Sequence, residues 1–222
     1  EDGKVSMPPE FVDAYKRFAE AGWASISLPS EIGGGGMPIA LSGGTLEILS
    51  TANLAFGLAP GLSAGAISAI NFHGSEEQKE KFLPKLVSGE WTGTMNLSEP
   101  QSGSDLGTIT TKAEAQNDGS YKITGTKVWI TFGEHDMTDN IIHLVLAKVP
   151  GSPEGTKGIS MFIVPKMIVN EDGSLGENNN VNCISIEEKL GIHASPTCVM
   201  EYNESIGYLV GEENRGLNYM FT

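Results

Sequence analysis

The chain reads as an α+β protein: a helical N-terminal region, an antiparallel β-barrel or sandwich, then the opening of a second helical region. Three observations carry that reading. Apolar residues recur at helical spacing up to about Gly89 and at strand spacing from Trp91 onward. Six or seven β-prone segments then follow one another with no helical pattern between them, which suits a barrel or sandwich. Beyond Gly216, Leu217, Met220 and Phe221 return to helical spacing. The predicted domains are 1–90, 91–208 and 209–222.

The elements follow in order. Pro8 and Pro9 suit the first turn of a helix whose Phe11, Val12, Tyr15, Phe18 and Ala19 share one face, and Gly22 ends it. Met37-Pro38 opens a second helical pattern with Leu41, Leu46, Ile48 and Leu49 apolar. A third, Ala59 to His73, is rich in small residues, which favours close helix packing. Ser75-Glu76-Glu77-Gln78 is a capping box opening a helix that Gly89 stops. Strands are expected at 91–97, 109–115, 121–131, 140–148, 159–165, 181–187 and 197–202, with a hairpin turn at Asn117-Asp118-Gly119-Ser120. Pro150 to Gly158 and Asn170 to Asn180 read as surface loops. A final helix of about one or two turns, with no neighbour to bury its face, is not a finished fold. Both ends are therefore expected to be truncated.

Composition narrows the function. With 222 residues, 39% hydrophobic and 19% charged, the chain is ordinary for a soluble globular protein. Twenty-eight acidic against 14 basic side chains give a net charge of −14, which repels phosphate backbones and argues against nucleic acid as a partner. The apolar run Leu54 to Ile70 is broken by Gly, Pro and Ser and reads as no clean membrane span. No secretory leader is visible. Cys183 and Cys198 show no metal-ligand spacing and read as buried and reduced, and the four histidines show none either, so no metal is expected.

The most informative stretch is Met95-Asn96-Leu97-Ser98-Glu99-Pro100-Gln101-Ser102-Gly103-Ser104-Asp105, with Trp129-Ile130-Thr131 downstream. Two strand ends of this kind can hold a flat heteroaromatic ring: backbone and hydroxyl groups bond its edge and an indole covers its face. Gly103-Ser104 would let backbone and hydroxyl approach a phosphate. From spacing alone, a turn in which Glu99 and Asp105 cap backbone amides accounts for the bend, and Trp129 alone reads as core.

The pairing of the two motifs resembles the flavin-binding motif of the acyl-CoA dehydrogenase family. Matches to that family also run through HGSEEQKEKFLPKLVSGEWTGTMNLSEP (73–100) and YKITGTKVWITFGEHDMTDNIIHLVLAKVPGSPEGTKGISMFIVPK (121–166), covering most of the chain. The segments 133–166 and 187–222 look like a bacterial branch that includes 3-methylmercaptopropionyl-CoA dehydrogenases.

The resemblance implies that FAD is the cofactor and that the reaction removes an α proton and a β hydride from an acyl-CoA thioester. Carried over by position, the Leu97 backbone and Ser98 hydroxyl match groups that bond the flavin's pyrimidine edge. Trp129 matches the aromatic against the ring, and Thr131 the hydroxyl near its N5 and O4. Ser104 matches a serine near the pyrophosphate and the pantetheine end of CoA. Met95 stands where many members have an aromatic, and Phe132 where Asn or a small residue is commoner. Ser195, in the loop 187–197, is the expected CoA contact, although a plain surface turn accounts for that loop equally well.

The family's catalytic Glu lies in a C-terminal four-helix domain, so the base is expected beyond Thr222; neither Glu99 nor Glu187 matches it. The resemblance further implies an electron-transferring flavoprotein as acceptor, a homo-oligomer (dimer or tetramer), and a cytoplasmic, non-membrane protein. An oxidase or flavin monooxygenase of the same fold, and a non-catalytic binding protein, are the alternatives.

Overall fold

A computed structural model describes residues 3–221. Helix α1 (Pro9–Glu20) buries Phe11, Tyr15 and Phe18, and Gly22 follows it with φ 75°. Helix α2 spans Ile39–His73, with a break at Asn53 where the backbone turns to φ −161°, ψ 100°. The side chain of Asn53 accepts from the Phe56 amide at 3.1 Å and so caps the second segment. The two helical patterns read from the sequence are thus two segments joined at a capped kink. Helix α3 (Glu76–Val87) begins at the expected capping box, with Ser75 Oγ accepting from Gln78 N and Gln78 Oε1 from Ser75 N.

By length and composition α2 is apolar enough to cross a membrane, so the expectation that no segment qualifies needs correction. The helix runs through Pro60 and the small residues that were read as interruptions. Ala66, Ile67, Ala69 and Ile70 are buried inside the protein, against α3 and the sheet.

Among the described residues nine strands follow: β1 (Trp91–Asn96), β2 (Lys112–Ala115), β3 (Tyr121–Thr131), β4 (Asn140–Lys148), β5 (Ile159–Pro165), β6 (Met167–Val169), β7 (Leu175–Asn178), β8 (Val181–Ile186) and β9 (Thr197–Leu209). Seven form one sheet in the order β1-β4-β2-β3-β9-β5, with β8 on β9, and the β4–β5 pairing closes it on itself. Helix α4 (Gly216–Met220) comes last. The chain is the α+β barrel expected, with one correction: the sheet is mixed. β1 runs parallel to β4 from Trp91↔Asn140 to Asn96↔Val145, and β2 meets β4 in a parallel bridge. The chain leaves β1, makes the β2–β3 hairpin and only then returns beside β1, and such a crossover brings neighbours in parallel. Strand periodicity carries no information about partner or direction.

Two local expectations also shift. The loop expected at 170–180 contains β7, which pairs with β6 through a polar turn lacking hydrophobic alternation. Strand β9 continues past Tyr202 through Glu204, whose φ is 55°, so polar residues there mark an irregularity and not an end.

Helices meet sheet along β1 and β4. Strand β4 is buried on both faces: Ile142, Leu144 and Leu146 pack toward α2 and α3, and Val145 and Ala147 toward the barrel interior. Gly93 on β1 lets α2 come close, since a Cβ there would lie 2.5 Å from the Ala66 Cβ. A third cluster joins Phe11, Phe18 and Phe56 to Phe132, just past the end of β3.

Candidate functional site: a ledge at two strand ends

The paired motif converges. As β1 ends, Val128 N donates to Ser98 O at 3.0 Å, and Lys127 Nζ donates to Leu97 O at 2.9 Å. Residues about thirty apart in sequence thereby form one ledge. A β-bulge sets what it displays. Lys127 pairs with Met200 and Ile130 with Cys198, so β3 carries an extra residue over that interval. Val128 and Ile130 both turn inward, while Trp129 stands out at 57% exposure with φ 60°. Left-handed backbone at an aromatic residue costs on the order of 1–3 kcal/mol and marks positions held by their surroundings.

The bend closes against this indole. A Cβ added at Gly103 would lie 3.5 Å from Trp129 Cζ3. Glu99 and Ser102 exchange backbone hydrogen bonds of 2.8 and 2.9 Å, Ser102 Oγ donates to Asp105 O at 2.6 Å, and Asp105 Oδ1 accepts from Gly107 N at 2.9 Å. The simple turn foreseen from spacing, with Glu99 and Asp105 receiving backbone amides, is therefore present as the support of the ledge.

Beneath the bend lies a buried ion pair that sequence reasoning missed. Glu99 Oε1 accepts from Thr111 N at 3.0 Å, Thr111 Oγ1 at 2.5 Å and Lys127 Nζ at 2.9 Å. Glu99 Oε2 accepts from Thr110 N at 2.6 Å, Thr110 Oγ1 at 2.9 Å and Gln101 Nε2 at 2.7 Å. Burial pushes the Glu99 carboxyl upward, but the Lys127 charge and the Thr111 and Thr110 donors outweigh it and hold the group at about 2. Burial pulls Lys127 down to about 8 against the opposing pull of Glu99. The available signal was a lysine sharing strand parity with Ile123, an inward position that the bulge leaves intact for Lys127 and reverses one residue later.

The remaining candidates fall as follows. Met95 is half-buried against α2, close enough that a Cβ on Gly65 would lie 2.9 Å from its Sδ. Thr131 is half-buried and paired with Thr197, and Ser104 is exposed on the bend. The loop before β9 reaches the same strand end, because Phe132 N donates to Pro196 O at 2.8 Å. Ser195 itself is 1% exposed and its Oγ has no hydrogen-bond partner among the described residues, so its hydroxyl sits behind the loop surface. Its carbonyl accepts from Lys189 Nζ at 2.5 Å. Phe132 is 1% exposed and belongs to the helical core, away from any rim. His135 and His143 are buried against Thr92 and Thr94, at 2.9 and 2.7 Å, and burial pulls both down to about 3, leaving neutral imidazoles.

The ledge suits a planar ligand with a polar edge: an exposed indole, hydroxyls of Ser98 and Thr131 at the two strand ends, and backbone in a rigid bend. Comparison with known proteins agrees with that chemistry. Residues 2–90 match the family model for the acyl-CoA dehydrogenase N-terminal domain, and residues 94–205 match that for the acyl-CoA dehydrogenase middle domain. The chain belongs to the acyl-CoA dehydrogenase family.

Among relatives, it is 51% identical to a 3-methylmercaptopropionyl-CoA dehydrogenase of Ruegeria pomeroyi over 221 residues, which is 100% of this chain and 38% of that protein. An acyl-CoA dehydrogenase from Bacillus anthracis, solved in complex with FAD, superposes with a TM-score of 0.79 at 30% identity, over 95% of this chain and 34% of that one. Butyryl-CoA dehydrogenase from Megasphaera elsdenii gives 0.78 at 26% identity, over 98% and 54%. The chain thus spans well under two thirds of the length of these proteins.

Proposed function

We propose that this chain is the cofactor- and thioester-cradling part of an FAD-dependent acyl-CoA dehydrogenase, with 3-(methylthio)propanoyl-CoA the first candidate substrate. The observation that carries the reading is the ledge: two strand ends tied together, with Trp129 held outward at φ 60° beside Ser98 and Gly103. FAD, when bound, supplies the two-electron acceptor for the β hydrogen. The Leu97 backbone and Ser98 hydroxyl would bond the ring's pyrimidine edge, Trp129 would cover its face, and Thr131 would stand at its N5 side. Met95 would add a thioether contact. Ser104 would meet the pyrophosphate and pantetheine, and the loop that covers Ser195, rather than its buried hydroxyl, would face CoA.

Removing the α proton needs a carboxylate with a raised pKa. Glu99 is unfit for that work, since both its oxygens are filled with donors and it stays ionised down to about 2. Glu187 sits exposed on the loop before β9. The family resemblance instead puts the base in a C-terminal helical domain outside these residues. In the same reading the whole protein is a cytoplasmic, non-membrane homo-oligomer that passes electrons to an electron-transferring flavoprotein.

The test is anaerobic mixing of the flavin-loaded full-length protein with 3-(methylthio)propanoyl-CoA and butyryl-CoA while flavin absorbance is followed. Bleaching is expected, fastest with the thioether substrate. No bleaching by any acyl-CoA would refute the reading, and rapid reoxidation by oxygen in place of electron-transferring flavoprotein would reassign the protein as an oxidase.

A further inference from the structure

The Glu99–Lys127 pair is a buried charge cluster for which the proposed chemistry has no use. Lys127 is 0% and Glu99 1% exposed. Stability alone is a weak reason for such a pair, because apolar replacements of similar volume are often as stable or more so. Its geometry supplies a better one. Lys127 Nζ divides itself between Glu99 Oε1 and the Leu97 carbonyl, both at 2.9 Å. Thr110 and Thr111 hold the carboxylate with backbone and hydroxyl donors, so the ammonium cannot swing away from Leu97.

The carbonyl of Leu97 and the N–H of Ser98 belong to one planar trans peptide, so they point in opposite directions. Turning the carbonyl onto Lys127 turns the Ser98 N–H away from it. A carbonyl accepting from an ammonium is polarised, and the N–H of the same peptide becomes a stronger donor. One residue on, Val128 N takes the Ser98 carbonyl, so two successive peptide planes are fixed from β3.

We propose that Lys127, clamped by Glu99, is a positioning residue for the flavin's pyrimidine edge: it fixes the Leu97–Ser98 peptide plane and strengthens the N–H that the plane presents. The proposal rests on the reading above that the ring lies on this ledge. Charge arriving on the pyrimidine edge when the ring is reduced is stabilised by such a donor, so the pair favours reduced over oxidised flavin.

The experiment uses flavin-loaded full-length protein with Lys127→Met combined with Glu99→Gln, and Lys127→Arg as the charge-conserving control. FAD dissociation constant, flavin midpoint potential and thermal unfolding are measured on each. The double variant is expected to bind FAD roughly tenfold more weakly, with a more negative midpoint, and Lys127→Arg to recover most of the midpoint. A folded double variant whose affinity and midpoint match the parent would overturn the proposal. Should the double variant not fold, Glu99→Gln alone must move both quantities in the same direction, and unchanged values there overturn it equally. Trp129→Ala, run in parallel, separates the two levels. If it weakens FAD binding while the Lys127 and Glu99 variants do not, only this inference fails; if it too has no effect, the ledge reading fails with it.

Discussion

Trp129→Ala in the full-length protein is the substitution whose cost can be worked from the fold. An indole offers up to about 250 Å² of surface, and Trp129 is 57% exposed. Covering roughly half of that exposed area with a ring removes about 70 Å² from water, worth about 2 kcal/mol at 25–30 cal/mol per Å². Loss of the side chain should therefore weaken flavin retention by a factor of about 10 to 30. Backbone strain does not confuse the result, because alanine at φ 60° is strained as tryptophan is. Trp129→Gly removes the same contact and relieves the strain, so it should lose as much flavin while melting higher than the alanine variant. Flavin released on dilution, read by fluorescence, gives the affinity. Retention within twofold of the parent in both variants would refute the assignment of Trp129 as a ring contact.

Other consequences are as direct. Glu99 has its folded pKa depressed to about 2, so its stabilisation is present above its ordinary value near 4.5 and is lost as pH falls toward 2. That loss is roughly 3 kcal/mol, and acid unfolding of the parent against Glu99→Gln should show the variant's stability falling less over that interval. Gly93→Ala forces a Cβ to within 2.5 Å of the Ala66 Cβ; it should cost about 1–3 kcal/mol, with Ala66→Gly on the same chain restoring the melting temperature. Residues 1–222 expressed alone, supplied with FAD and acyl-CoA, should bleach no flavin, whereas rapid bleaching would place the base within them and make Glu187 the first residue to replace.

Much of this was legible in residue order, for identifiable reasons. The capping box at Ser75 and the edges of β3 and β4 are local signals, set by hydrogen bonds within a few residues and by two-residue alternation, and they lie where the sequence put them. The convergence of Leu97 and Ser98 with Trp129 was foreseen through resemblance, and contacts made across the fold now join those segments. What stayed hidden depends on long-range pairing. The parallel β1–β4 contact follows from the route of the chain, and the outward turn of Trp129 follows from a bulge against β9. Lys127 shares inward parity with Ile123, but an interior lysine becomes intelligible only once Glu99 is known to lie beside it. The burial of Ser195 stayed hidden too, since only the folded path of its loop tucks the side chain under.

On the proposal above, the ledge formed by Leu97, Ser98 and Trp129 receives the flavin ring. The most direct measurement is a crystal structure of the full-length protein with FAD bound. The pyrimidine edge should lie within hydrogen-bonding distance of Leu97 and Ser98, with the Trp129 indole packed on the ring system. A flavin bound elsewhere, with Trp129 left in solvent, would contradict it.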